Sequence, residues 1–349
     1  MTTRAPDAGA TTPSEECGVD HVSAATPPTE YGTLRTGAHY ASLVLSSMLG
    51  TLIRLGLNAM GDYDGRVIFP LAWAQGVGCG IMGLGAARKA EVAWIYPPIT
   101  TFVTTGVAGS TTTFSSWMLE GFEAFADTPA GPFQKTVNGV AYSLATFAVS
   151  YAGIVLGEQV SSFFPSLPRP RPRPSSSGRH SLSPAPLADG LMFLLALASY
   201  AAAFAMYFAA PRSWRERAVF ALLLSPPGAM IRYALSKLNT RSVFVRRFPI
   251  GTFIANMAAT LVIGGVYAAG YRPADVSACD AFHALESGFC GCLSTVSTFV
   301  VEARNLRHRW AWGYVLGSVV VGHLMILATA GGVRWAIGYT GQCAGSGST

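Results

Sequence analysis

The feature that most limits what this chain can become is a pattern that occurs twice. Gly106 to Glu120 reads GVAGSTTTFSSWMLE, and Gly288 to Glu302 reads GFCGCLSTVSTFVVE. Each copy has Gly-x-x-Gly, a run rich in hydroxyls, an aromatic and a closing Glu. The copies stand 182 residues apart at both ends, which marks an internal duplication. Helix-breaking glycines beside Ser and Thr inside an apolar stretch carry a physical meaning in lipid. Every backbone amide and carbonyl there must be satisfied, so an interrupted helix survives only where protein, water or an ion fills the gap. The repeat therefore predicts two broken helices meeting at one site, the way inverted repeats expose backbone dipoles to an ion.

The remainder of the chain agrees with a membrane location. Half of its 349 residues are hydrophobic and only 12% are charged, too apolar a mixture for an ordinary soluble domain. A formal charge of +6 suggests nucleic acid, but the basic residues sit in short segments between apolar spans, so that partner is excluded. The six cysteines form no C-x-x-C pair and no Cys/His metal spacing.

Nine apolar spans are expected. Four lie in residues 37–158, with the broken third one at about 94–125 and the fourth at about 136–157. One span crosses alone at 187–211, and four more lie in 212–333. Residues 1–36 read as a disordered tail, 159–186 as a Pro/Arg/Ser-rich linker and 334–349 as a second tail. The second half repeats the first: Arg232 follows Arg54 by 178 residues and Asn256 follows Gln75 by 181. Tyr314, Ser318 and Gly322 follow Tyr142, Thr146 and Ser150 by 172. A single bridging helix between two sets of four inverts the second set. The fold class is thus an all-α polytopic membrane protein of two inverted four-helix repeats. Outside the spans one side holds 15 basic residues and the other 7, which places the N-terminus in the cytoplasm and the C-terminus outside. Cys279 and Cys343 then share the external side, where a disulfide is open to them.

The polar groups at mid-membrane depth are hydroxyls, amides and a few arginines, with no row of carboxylates. Nothing there is built for bond breaking, so no enzyme is expected. Arg54, Arg232, Asn256, Tyr142 and Ser150 favour an anion, since donors and positive potential replace its hydration shell. The positive rim of an aromatic ring adds to this.

On the stretches around Arg54 and Arg232, the P-x-G-T-x-x-x-N run ending at Asn256 and the two Gly-x-x-Gly copies, the chain resembles the two-domain eukaryotic fluoride exporters, fused relatives of the bacterial Fluc/CrcB fluoride channels. The resemblance implies passive, fluoride-selective efflux across the plasma membrane by a single chain acting as a pseudo-dimer in the lipid bilayer. It also implies a structural sodium ion held by the backbone carbonyls of Gly109, Thr112, Gly291 and Ser294. The family's two phenylalanine positions fall on Phe114 and Trp117 in the first half, and on Val296 and Phe299 in the second. One fluoride pore is expected at Phe114 and Phe299, with Asn256, Tyr142, Thr146, Ser150, Thr113, Ser115, Thr295, Ser297, Thr298, Arg54 and Arg232. The other, with Gln75, Trp117, Val296, Tyr314, Ser318 and Gly322, is expected to be vestigial. Grouping the Tyr142 stripe with the phenylalanine pair rests on completeness of the set. The rivals are a proton-coupled carrier using Glu120 or Glu302, and a lipid-modifying enzyme, for which only His323 lies well within a span.

Overall fold

The computed structural model describes residues 32–61, 63, 68–126, 131–165, 185–241, 247–270 and 276–337, and every regular element among them is helical. Nearly all of the N-terminal tail, most of the linker and most of the C-terminal tail lie outside these residues.

The first half contains α1 (Thr33–Gly61), α2 (Pro70–Ala87), the short α3 (Lys89–Ile95), α4 (97–111), α5 (Phe114–Ala126) and α6 (Pro132–Ser161). The bridging helix is α7 (Ala185–Ala209). The second half contains α8 (Arg212–Thr240), α9 (Ile250–Ala269), α10 (276–293), α11 (Ser297–Asn305) and α12 (His308–Ala336). Among the described residues seven helical runs are long and apolar enough to cross a membrane: α1, α6, α7, α8, α9, α10 with α11, and α12. The other two expected spans fall on α2, with 18 residues, and on α4 with α5, which a break divides. Helix α6 outruns its expected 136–157 by a turn at each end. Pro132 opens it at the first helical position, where a missing N–H costs nothing.

Two devices draw the helices together. Along α2 and α6, glycines replace side chains with backbone contact: a Cβ on Gly83 would land 2.1 Å from the Ile154 carbonyl, and one on Gly157 would land 2.0 Å from the Gly80 carbonyl. Helices with no hydrophobic drive between them in lipid gain most from such close van der Waals approach. The bridging helix is held differently. Asp189, only 3% exposed, accepts from Arg35 Nε at 3.0 Å and from the Tyr96 hydroxyl at 2.7 Å. The Arg35 guanidinium also lies 4.9 Å from the centre of the Tyr96 ring. This contact explains why α1 starts at Thr33, inside the expected tail: its first turn carries Arg35 to the latch.

The core forms where α5 and α11 meet, and its largest fully buried side chains include Trp117, Tyr314, Phe114 and Phe299. Helices α6 and α12 run in opposite directions and line two separate cavities: Lys135 and Arg334 share one, while Tyr151 and His308 share the other. Cys279 is disulfide-bonded, whereas Cys79, Cys290 and Cys292 are free, so its partner lies outside the described residues, as does Cys343.

Candidate functional site

Both repeated motifs break where expected. A widened, π-type turn precedes each break, at Thr101–Ala108 and at Leu285–Cys290. The chain then leaves helical geometry at Thr112, with ψ of 147°, and at Ser294, with ψ of 162°. Such π turns are frequent at functional sites.

Two helices, α5 and α11, restart at the breaks, and their first N–H groups need acceptors in a fully buried place. Each half supplies the other. Ser294 Oγ accepts from the backbone N–H of Phe114 and of Ser115, both at 3.1 Å. Thr112 Oγ1 accepts from the N–H of Val296 at 3.3 Å and of Ser297 at 3.1 Å. The caps are swapped across the duplication. The hydroxyls knit together around them: Thr112 reaches Thr295 at 3.2 Å and Ser297 at 3.1 Å, and Ser294 meets Thr113 at 3.1 Å and Ser115 at 3.0 Å. Thr298 stands half-buried on the first turn of α11.

The arginines cross over as well. Both are buried, at 3% exposure, so neither reaches for the membrane surface. Arg54 donates to the Ser287 carbonyl of the other half and lies so close to Gly291 that a Cβ there would fall 1.7 Å from its Nη1. Arg232 donates to the Cys292 carbonyl at 2.7 Å and to Ser110 Oγ at 3.3 Å, and a Cβ on Gly109 would fall 2.1 Å from its Nη1. Arg54 therefore braces the opposite break, Arg232 ties its own break to the opposite one, and a glycine at 109 and at 291 makes room for these approaches.

Asn256 and Gln75 hold equivalent backbone with unequal grip. Asn256 accepts from the Thr295 N–H at 2.8 Å and donates to the Thr295 carbonyl at 3.2 Å. Gln75 donates to the Thr113 carbonyl at 2.7 Å, but its buried Oε1 has no hydrogen-bond partner among the described residues. One extra methylene costs the second bond.

The aromatic groups assemble differently from the expected sets. Phe114 and Phe299 touch edge to face, with ring centres 5.4 Å apart. Beside Phe299, at 4.9 Å, stands Tyr314, and a Cβ on Gly322 would meet Met118 Sδ at 2.7 Å and Phe114 Cε1 at 3.1 Å. The α12 stripe thus faces the phenylalanine pair, and Ser318 within it is buried with Oγ lacking a partner among the described residues. Tyr142 instead packs on Phe69 at 4.3 Å, while the hydroxyls of Thr146 and Ser150 turn back to the carbonyls of Tyr142 and Thr146. This corrects the expected grouping of Tyr142, Thr146 and Ser150 with Phe114 and Phe299. The glycine seam holds α6 on α2, whereas α5 presents Phe114 towards α12. Trp117 is fully buried 5.5 Å from Phe114, and Val296 is fully buried too.

The closing glutamates pair with the stripe tyrosines, Tyr142 with Glu120, and Tyr314 with Glu302 at 2.9 Å. Thr252 and Asn239 each donate to Glu302 at 2.7 Å. A polar cavity of about 380 Å³ opens beside Glu120, lined also by Arg54, Asn58, Ser116, Glu123 and Glu286. Glu123 and Glu286 escape sequence reading because the duplication does not repeat them: the residues 182 positions away are Asn305 and Thr104.

For a metal, the described residues contain no cluster of His, Cys, Asp and Glu. At the four positions 109, 112, 291 and 294 the break residues offer oxygen donors. Gly109, Thr112, Gly291 and Ser294 are all buried, and the two hydroxyls are engaged as caps, so backbone carbonyls are the remaining donors. Hard oxygen donors suit an alkali or alkaline-earth cation, and the two guanidiniums against Gly109 and Gly291 favour the lower charge.

Comparison with known proteins follows the same two-part pattern. The family model described as CrcB-like protein, Camphor Resistance (CrcB), matches residues 41–158 and again 219–331. The chain is 32% identical over 326 residues to Fluoride export protein 1 of Candida albicans, covering 85% of this chain and 80% of that protein. It is 30% identical over 318 residues to Fluoride export protein 1 of Schizosaccharomyces pombe, covering 85% of this chain and 96% of the relative. Fluoride-specific ion channel FluC 1 of Nocardia farcinica is 33% identical over 113 residues, 32% of this chain and 72% of the relative. No solved structure matches. With two matched regions that take in both interrupted helices, the chain belongs to the CrcB-like family.

Proposed function

We propose that this chain is a passive fluoride channel that exports F⁻ from the cytoplasm down its electrochemical gradient, and not an enzyme. The observation that carries the reading is the reciprocal junction of two interrupted helices in a duplicated family member whose relatives are named for fluoride export. An inside-negative potential drives an anion outward with about 2.3 kcal/mol per charge per 100 mV.

In this reading the four helices of each half lie inverted in the plasma membrane, with nine crossings, a cytoplasmic N-terminus and an external C-terminus. The opposed directions of α6 and α12 support the inversion. Sodium would be held by the carbonyls of Gly109, Thr112, Gly291 and Ser294, supplying a fixed positive charge between the halves. Fluoride would pass the rims of Phe114 and Phe299 with Tyr314 and Ser318 beside them, and the side bearing Gln75, Trp117 and Val296 would not conduct. Trp117 and Val296 are both fully buried, and Gln75 grips its backbone less completely than Asn256 does.

Purified protein in liposomes should develop a fluoride-dependent potential that chloride does not produce. Substituting Phe114→Ile or Phe299→Ile should abolish it, while Val296→Ala leaves it largely intact; equal losses at all sites would end the one-pore reading. Replacing sodium by N-methylglucamine should lower the thermal midpoint. A proton-coupled carrier remains the second reading because Glu302 is held by Tyr314, Thr252 and Asn239 next to the phenylalanine pair. Efflux that tracks an imposed pH gradient at fixed potential would favour it.

A further inference from the structure

A crevice between α6 and α12 has a volume of about 970 Å³ and opens along one side, with Phe122 and Phe125 of α5 in its lining. Its walls are apolar, and protein covers them poorly: Leu144 is 66% exposed, Leu316 57%, and Val320 and Leu324 56% each. Scattered exposed leucines are ordinary on a lipid-facing helix. A concave groove of this size is not, because it lies at the upper end of volumes that hold small molecules.

Ser143 and His323 are the polar residues along the middle of the groove, and its lysine and arginine side chains stand at one end. Lys135, in the first turn of α6, and Arg334, near the end of α12, both line it, and Trp335 lies beside them at 70% exposure. Arg334 is 7% exposed with its guanidinium 5.8 Å from the centre of the Phe122 ring, and Lys135 Nζ reaches the Ala126 carbonyl at 3.3 Å. No carboxylate lines the groove, although Glu123 lies near Arg334. Two cations and a Trp at one end of an apolar trough match a phospholipid, whose phosphate seeks basic groups at headgroup depth while its tail seeks the groove. A partner's apolar helix or a sterol would gain nothing from Lys135 and Arg334.

We infer that the α6–α12 crevice is a phospholipid-binding site, with the phosphate between Lys135 and Arg334 and an acyl chain along Leu144, Val320 and Leu324. The inference does not depend on which ion the breaks serve.

The full chain in nanodiscs can be labelled with phosphatidic acid carrying a diazirine in its acyl tail, and the modified peptides mapped. Label should concentrate on the segments around Leu144 and Val320 relative to α7, which exposes Leu194, Leu197 and Phe208. In Lys135→Gln it should fall about fivefold, the factor that one basic group near a membrane surface is worth. In Val320→Trp, which fills the groove from an exposed position, it should fall as far, both variants keeping the parent's elution volume. Equal labelling of groove and α7, no response to either substitution, or equal capture of a diazirine fatty alcohol lacking phosphate would overturn the inference. So would cross-links joining α6 and α12 to a second chain.

Discussion

The swapped caps make a sharp prediction about Ser294. Changing it to Ala removes the acceptor for the N–H groups of Phe114 and Ser115 and leaves those two donors without it in a fully buried place. Each buried unsatisfied donor costs about 1–3 kcal/mol, so stranding both should cost about 2–6 kcal/mol. At about 2.1 cal/mol/K of unfolding entropy per residue, a chain of 349 residues then loses about 3–8 °C in thermal midpoint. The assay is fluorescence-detected thermal unfolding in one detergent, with Ser297→Ala as comparator. Ser297 Oγ accepts from Thr112 Oγ1 at 3.1 Å, yet no backbone N–H depends on it, so its loss should cost about 1 kcal/mol. Ser294→Thr keeps the hydroxyl and should retain most of the stability. If Ser294→Ala costs no more than Ser297→Ala, or Ser294→Thr costs as much as Ser294→Ala, the cap does not hold α5.

Three further outcomes are expected. Gly291→Ala drives a methyl into the Arg54 guanidinium and should abolish recovery of folded protein, whereas Gly265→Ala, with nothing within 4 Å, should be close to neutral by size-exclusion yield. Asn256→Ala should lower the thermal midpoint more than Gln75→Ala, because Asn256 satisfies both the N–H and the carbonyl of Thr295 and Gln75 only the carbonyl of Thr113; equal shifts would contradict this asymmetry. Asp189→Asn should cost about 3–5 kcal/mol by stranding Arg35, and limited proteolysis should then cut near α7 faster than in the parent.

Much of the fold was legible because duplication and apolar spacing are local signals. The two Gly-x-x-Gly copies located both breaks, and the glycines of α2 announced close packing. What stayed hidden depends on which faces meet. Tyr142 and Tyr314 occupy equivalent sequence positions, and nothing local shows that Tyr314 reaches Phe299 while Tyr142 turns to Phe69. Arg54 in isolation reads as an anchor or an anion ligand; its position against Gly291 requires knowing that a residue 237 places away shares its neighbourhood. Asp189 was invisible for the opposite reason, since the bridging helix has no copy to compare. The three carboxylates of the polar cavity come from α5 and α10, and only folding assembles them.

The exchange of hydroxyl acceptors between the halves also sets an order of events during synthesis. When Phe114 and Ser115 have entered the bilayer, the atom that will satisfy them is still about 180 residues from being made. At roughly 5–20 residues per second the nascent first half waits on the order of 10–40 s with its junction unfinished. Until Ser294 arrives, those amides must borrow water, translocon or chaperone as a stand-in, so the interval in which this chain is most vulnerable to degradation should close only when its last quarter is inserted.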